Sequence, residues 1–335
     1  MSATASLLAE RASTADEIAG SVMTVRGPIR ASDMGLTLSH EHLLASFQPY
    51  VEWEKEPARY DVDDVLAVVR PHLARLKELG CRTFVDATAV GLLRDAALLK
   101  RVSQESGLHI LTNTGAYAAG GGQYLPTYVA TASVDALARR WIDEIRNGIE
   151  GTGVRPGFIK LGFNGSSLND AEQKLIRAAA IAHRETGLTI GAHTGPAVAA
   201  FEQLSMLESA GVDPSAWIWI HAHAEPDLSQ PLRAAQRGAW ISFDHVSTET
   251  IGAHVRMVAR MRDEGQLDRV LVSQDAGWYH VGQPHGGSFR PFDTVFTAFI
   301  PALRTSGFGD ADIDTLFVRN PARAFAIRPR RRAGA

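Results

Sequence analysis

The chain has 335 residues and a formal net charge of −3, from 34 Lys and Arg against 37 Asp and Glu. That near-balance excludes a globally basic nucleic-acid surface, and 45% hydrophobic with 21% charged residues excludes global disorder. A single cysteine, Cys81, rules out an intramolecular disulfide framework and any Cys-rich zinc site.

The first 20 residues carry acids early and no long apolar core, so no secretory signal is expected and residues 1–22 read as a short N-terminal extension. From residue 35 onward, short apolar runs alternate with amphipathic stretches. The runs are 35–42, 82–88, 108–115, 157–163, 188–194, 216–223, 239–245 and 269–276. Each is short and rich in β-branched or aromatic residues, the pattern of a buried strand. The intervening segments, 62–79, 94–106, 131–149, 170–186, 197–210, 228–237 and 247–266, read as helices, with a last one at 291–306. Gly80, Gly107, Gly187, Gly211 and Gly238 stand where helices should stop.

Eight strands alternating with eight helices predict a parallel sheet, and the count of eight predicts one closed (β/α)8 TIM barrel over residues 23–327. A doubly wound open sheet is the competing arrangement. No span is apolar enough for lipid, since the longest stretch without Asp, Glu, Lys or Arg, 106–134, contains five glycines. The basic end, 328–335, reads as a solvated tail, too short for a nucleic-acid arm. A cytoplasmic protein without membrane or nucleic-acid partners is the expectation.

In a barrel the C-terminal strand ends form one rim, and the reactive side chains fall there. The first strand ends His40-Glu41-His42, which places both histidines on one face and Glu41 on the other. The fourth contains Lys160, the fifth ends at His193, the sixth at His221 and His223, the seventh at Asp244-His245, and the eighth at Asp275. Taken singly, each has a plainer use as a hydrogen-bonded core residue, a cap or an ion pair. Together they converge, and N/O ligands of this kind suit zinc and related divalent ions.

With its ordered segments GLTLSHEHLL, FIKLGF, AHTG, IHAHAEPDLS, VSQDAGW and RNPARAF, the chain resembles the phosphotriesterase-like family of the amidohydrolase superfamily over roughly residues 23–326. The resemblance implies a binuclear centre. In it His40, His42 and Asp275 bind the more buried ion and His193 and His221 the more exposed one. Lys160, as its CO2-derived carbamate, bridges the two. The ions would be Zn2+, with Mn2+, Co2+ or Fe2+ fitting the same ligands. A metal-bridging hydroxide would attack the substrate, with Asp275 as proton acceptor. Family spacing to Asp227 favours His221 over His223 as ligand, leaving His223 to line the pocket.

Family membership leaves the substrate open. His245 matches the relay histidine of phosphotriesterases, but the relay's carboxylate position is Ala224, and neighbouring Glu225 should face away. Tyr117 matches a tyrosine that the family's lactonases place over the metals. Trp278, Tyr279, His280 and Arg290, in the loop 277–290, are further substrate-contact candidates. The expected activity is cleavage of a carboxylic ester in a lactone or an acylated small molecule such as a sugar ester. Phosphotriester hydrolysis and an amidase acting on an N-acylated amine are the alternatives, and the family implies a homodimer. No GxSxG elbow is present to support a serine hydrolase.

Overall fold

The computed structural model describes residues 18–165 and 167–328. The first 17 residues and the basic tail from 329 onward therefore lie outside the described residues. A hairpin opens the fold, β1 (Ser21–Thr24) antiparallel to β2 (Gly27–Arg30). The barrel strands follow as β3 (Thr37–Ala45), β4 (Thr83–Asp86), β5 (His109–Leu111), β6 (Asn113–Tyr117) and β7 (Phe158–Gly162). Next come β8 (Ile190–His193), β9 (Trp217–Ile220), β10 (Trp240–Phe243) and β11 (Val270–Val272), and then β12 (Gly277–His280). Apart from the hairpin, every strand pair is parallel.

Seven helices of eight residues or more fill the connections. They are α1 (Val62–Glu78), α2 (Ala96–Ser106), α3 (Val134–Asn147), α4 (Asp170–Thr186), α5 (Ala197–Ser209), α6 (Ser229–Gln236) and α7 (Ile251–Asp263). Their starts follow from capping chemistry. Asp61, Asp95 and Ser133 each accept a backbone N–H, and Asn169 with Glu172 forms a reciprocal capping box. Gly107 and Gly187 end α2 and α4 at positive φ.

The strands form two ladders, β6 to β11 in chain order and β5-β4-β3-β12. They join at two seams. At one, β5 and β6 are parts of one extended run interrupted at Thr112, whose carbonyl accepts from Gly157 (2.7 Å) while the His109 N–H reaches back to Arg82 (2.9 Å). The predicted strand 108–115 is thus split. At the other, β11 and its continuation meet β3. The Asp275 N–H donates to the His40 carbonyl (3.1 Å), that of His42 to Ala276 (3.0 Å), and that of His40 to Ser273 Oγ (3.1 Å). Glu41 fastens this seam, accepting from Ser273 Oγ (2.6 Å), Gln274 N (3.1 Å) and Ala276 N (2.7 Å). The arrangement is the (β/α)8 barrel that the strand count predicted.

Two apolar cores result. One lies between the sheet and the helices. The other plugs the N-terminal end of the barrel with Leu111, Phe158, Trp240 and Leu271, sealed by Val22, Met34 and Phe325. Residues 18–22, assigned above to an extension, therefore pack as part of the barrel: Val22 is fully buried in that plug.

The last helical region departs most from expectation. The segment predicted as one helix at 291–306 is a wide, π-type stretch at Val295–Phe299 running into a helix at Ile300–Thr305. The same form recurs at Thr315–Arg319 before Asn320–Phe325. In both, a proline (Pro301, Pro321) follows the π stretch by two residues. Its ring clashes with the carbonyl four residues back and supplies no N–H, so the preceding turn widens.

Candidate metal centre

Above the plug, the barrel mouth collects the polar residues. In β3 an extra residue sits between two pairings, Leu38 with Phe84 and Glu41 with Asp86, a bulge that re-aims the strand end. His40 and His42 then point into the mouth together, their Nε2 atoms 3.2 Å apart, while Glu41 faces the seam. Asp275 approaches from beyond β11, with Oδ1 3.1 Å from His42 Nε2 and 3.6 Å from His40 Nε2. It stands in a left-handed turn at φ 51°, outside the strand where the sequence placed it. His221, at the end of β9, is also left-handed at φ 66°. Its ring centre lies 5.0 Å from that of His40 and 4.4 Å from that of His193.

Lys160 is buried in the middle of β7, and its register partners on both sides are glycines, Gly115 and Gly191. A Cβ at Gly115 would meet the Lys160 carbonyl at 2.1 Å, so the close approach of β6 to β7 requires glycine there. Burial pushes the Lys160 ammonium down to about 8, against the pull of Asp244 and Asp275. One register step on, Tyr117, Gly162 and His193 stand side by side on β6, β7 and β8. A Cβ on Gly162 would sit 2.3 Å from the Tyr117 ring; its absence lets that ring lie across β7, its hydroxyl 3.1 Å from His193 Nδ1.

The outer partners hold the imidazole edges. Asp244, wholly buried, contacts His40 Nδ1 (2.8 Å) and His221 Nδ1 (2.7 Å) and accepts from Ser242 Oγ (2.8 Å). Thr88 gives its hydroxyl proton to the Leu44 carbonyl (3.2 Å), so it accepts from His42 Nδ1 (2.8 Å). With their Nδ1 edges so engaged, His40 and His42 turn Nε2 toward each other and toward Asp275, while Asp244, against burial, raises the His221 imidazole. Asp275 Oδ1 is buried there with no hydrogen-bond partner. Burial alone would raise the Asp275 carboxyl; the adjoining histidines, His221 among them, outweigh it and take it well below the usual carboxylate range. Burial also takes His40 down to about 3, so its ring is neutral. Imidazole nitrogens and a carboxylate oxygen brought together in a buried pocket are a donor set for a cation. Single atoms of His40, His221 and Asp275 all lie within 4.8 Å of one another. These residues fit a divalent centre.

A match to the phosphotriesterase family spans residues 20–325. The chain belongs to that family. A "phosphotriesterase homology protein" of Escherichia coli is 32% identical over 298 residues, 87% of this chain and 98% of the relative. The mouse "N-acetyltaurine hydrolase" is 27% identical, covering 91% and 97%. Among solved structures, an organophosphorus hydrolase from Deinococcus radiodurans superposes with a TM-score of 0.82 at 29% identity, covering 92% of this chain and 97% of the other. A mutant PTE-like lactonase from the same organism gives 0.81 at 30% identity, covering 91% and 99%. As a member of this family of binuclear metallohydrolases, the chain is a metal-dependent hydrolase.

Around the centre the other predicted residues separate. Trp278 stacks on His42, ring centres 3.6 Å apart, and its indole N–H donates to the Asp275 carbonyl (2.8 Å). His280, two residues on along β12, faces Phe47 at 5.6 Å. Phe47 is 46% exposed, stands 5.6 Å from Trp278 and 6.1 Å from Tyr124, and was not singled out in the sequence. Tyr279 departs from the expected substrate contact: alternation turns it toward α1, where its hydroxyl bonds Asp64. Arg290 is likewise directed at the backbone, donating to the carbonyls of Asp275 (3.0 Å) and Gln274 (3.2 Å). His223 packs between His245 and His254, each 5.4 Å away, with Nδ1 3.3 Å from Asp244 Oδ1. His245 is exposed at the rim. Glu225 is turned to the backbone, accepting from Ala197 N and Asp227 N. No helix among the described residues is long and apolar enough to cross a membrane.

Proposed function

We propose that this member of the phosphotriesterase family hydrolyses a carboxylic ester, in a lactone or an acylated small molecule such as a sugar ester. His40, His42 and Asp275 would hold one divalent ion and His193 and His221 a second. Lys160 would hold both as its carbamate, and zinc is the foremost candidate. The observation that carries this reading is the convergence of the His40 and His42 Nε2 atoms on the unpartnered Asp275 Oδ1, with a ring nitrogen of His221 within 4.8 Å. When bound, such ions supply an activated water at neutral pH and polarise a carbonyl. Asp275 touches the ligand histidines and would be the carboxylate nearest the reacting water to accept a proton. Tyr117, whose hydroxyl lies by His193, would orient a substrate oxygen. Burial brings Lys160 down to about 8, so much more of it than of an ordinary lysine is the free amine that takes up CO2.

Ester chemistry is favoured over phosphotriester chemistry by the missing relay carboxylate. Position 224 is alanine, and Glu225 is engaged by backbone N–H groups. An amide substrate has its own support in the similarity to N-acetyltaurine hydrolase over 91% of the chain. Proton release by metal-loaded protein, on a panel of γ- and δ-lactones, acetylated sugars, an aryl phosphotriester and N-acetylated amines, tests the reading. The expected result is the highest kcat/KM on a lactone or sugar ester. A preference for N-acetylated amines would move the protein to amide hydrolysis, and a preference for the phosphotriester would overturn the argument from Ala224.

A further inference from the structure

The segment after β11 passes through three left-handed residues in four, Asp275 (φ 51°), Gly277 (φ 96°) and Trp278 (φ 69°). A tryptophan in that region is rare and persists only where its surroundings over-determine it. Here its surroundings do so. Gly277 lies so close to β3 that a Cβ would meet the His42 carbonyl at 1.9 Å. The Trp278 indole then lands on the His42 imidazole, inclined by 24° with ring centres 3.6 Å apart. Its N–H and the Arg290 guanidinium both donate to the Asp275 carbonyl, at 2.8 and 3.0 Å. The exposed Phe47 ring adds a second layer 5.6 Å beyond the indole.

For a ligand histidine this is confinement on two sides. Thr88 fixes the Nδ1 edge of His42, and the indole covers a face. Release of an ion requires a ligand ring to tilt away or water to reach its lone pair. Trp278 obstructs both at His42, and no other described ligand carries such a cover: His40 and His221 are held by Asp244 at an edge, and His193 meets Tyr117.

We propose that Trp278 is a positioning residue that seals the inner half of the metal centre, making the ion held by His42 slow to leave. The inference rests on the binuclear reading above. Two substitutions isolate the ring. Trp278→Gly removes it while suiting the left-handed backbone, and Trp278→Phe keeps a stacking ring without the N–H.

The experiment follows metal release from the full-length zinc-loaded protein into excess chromophoric chelator, with zinc content measured beforehand and folding checked by thermal melting. Wild type is expected to hold two ions per chain and release them in two phases. Trp278→Gly should accelerate the slow phase by about 10-fold or more, the scale on which outer partners act on a metal site. Trp278→Phe should stay within about 3-fold of wild type on the same scale. Wild-type release from a folded Trp278→Gly protein that binds two ions would overturn the seal and leave the binuclear reading standing. Equal acceleration in both variants would assign the effect to the Asp275 hydrogen bond, against the stacking ring. A wild-type protein that takes up fewer than two ions would overturn the binuclear reading and the seal with it.

Discussion

Both carboxylate oxygens of Asp244 are taken up by imidazoles, and through them one buried side chain orients two inferred ligands on strands far apart in sequence. An amide has one accepting oxygen, so Asp244→Asn should leave either His40 or His221 without its Nδ1 partner. Zinc affinity, measured by calorimetric titration, is expected to fall by about 10- to 100-fold with the fold retained. Undiminished affinity would mean the rings are oriented by packing alone. Lys160→Ala should go further, since the register partners of Lys160, Gly115 and Gly191, have no side chain to take its place. Elemental analysis after dialysis is expected to show fewer than two ions per chain. Retention of both ions with full turnover would remove the lysine from the centre.

At the scale of elements, α7 brings His254 beneath the rim, buried against His223 and Phe299 with its Nε2 atom unpartnered. Burial takes this imidazole down to about 4, with His223 and His245 pushing the same way and Asp244 opposing. An unfolded histidine titrates near 6.5. Between those values the unfolded chain binds more protons, so stability rises with pH there. It is complete above 6.5 and falls away as pH drops toward 4. Urea unfolding at pH 7.5 and pH 5 should therefore show a loss for wild type about 2 kcal/mol larger than for His254→Leu. Parallel losses in the two proteins would show that His254 is charged in the fold.

The strands and the longer helices were legible because a buried strand is a short apolar run and a helix declares its caps; the capped segment from Asp170 to Thr186 lies where the sequence put it. The π stretches were not, because a proline's effect on the preceding turn depends on what the widened helix packs against. Candidate ligands were visible at strand ends, Asp244 among them, whereas the part Asp244 plays between two histidines, and the contacts of Thr88 and Phe47, exist only once the chain is folded. Tyr279 was misread because β12 restores alternation after a left-handed turn that no spacing rule reveals.

For the whole molecule, the seam between β3 and β11 is where the barrel depends on polar contacts rather than a regular ladder. Glu41 accepts three hydrogen bonds there while wholly buried, and burial pushes its carboxyl up to about 8. Glu41→Ala would orphan three buried donors at about 1–3 kcal/mol each, so a loss of about 3 kcal/mol or more is expected in urea unfolding. Glu41→Gln, which keeps an acceptor, should lose clearly less. A cost below about 1 kcal/mol for the alanine variant would show that water replaces the carboxylate and that closure does not need it.

The two strands of backbone that seal the barrel floor also meet each other: Gly20 donates to Ile327 and Ile327 to Ser21, both at 2.8 Å. The ring of strands is thus continuous in space, and its point of entry is interchangeable. A circular permutant joined across residues 20 and 327 by a short glycine linker, and opened at the exposed turn around Gly265, should assemble the same metal centre. The order in which strands leave the ribosome would change, and the geometry at the mouth would not.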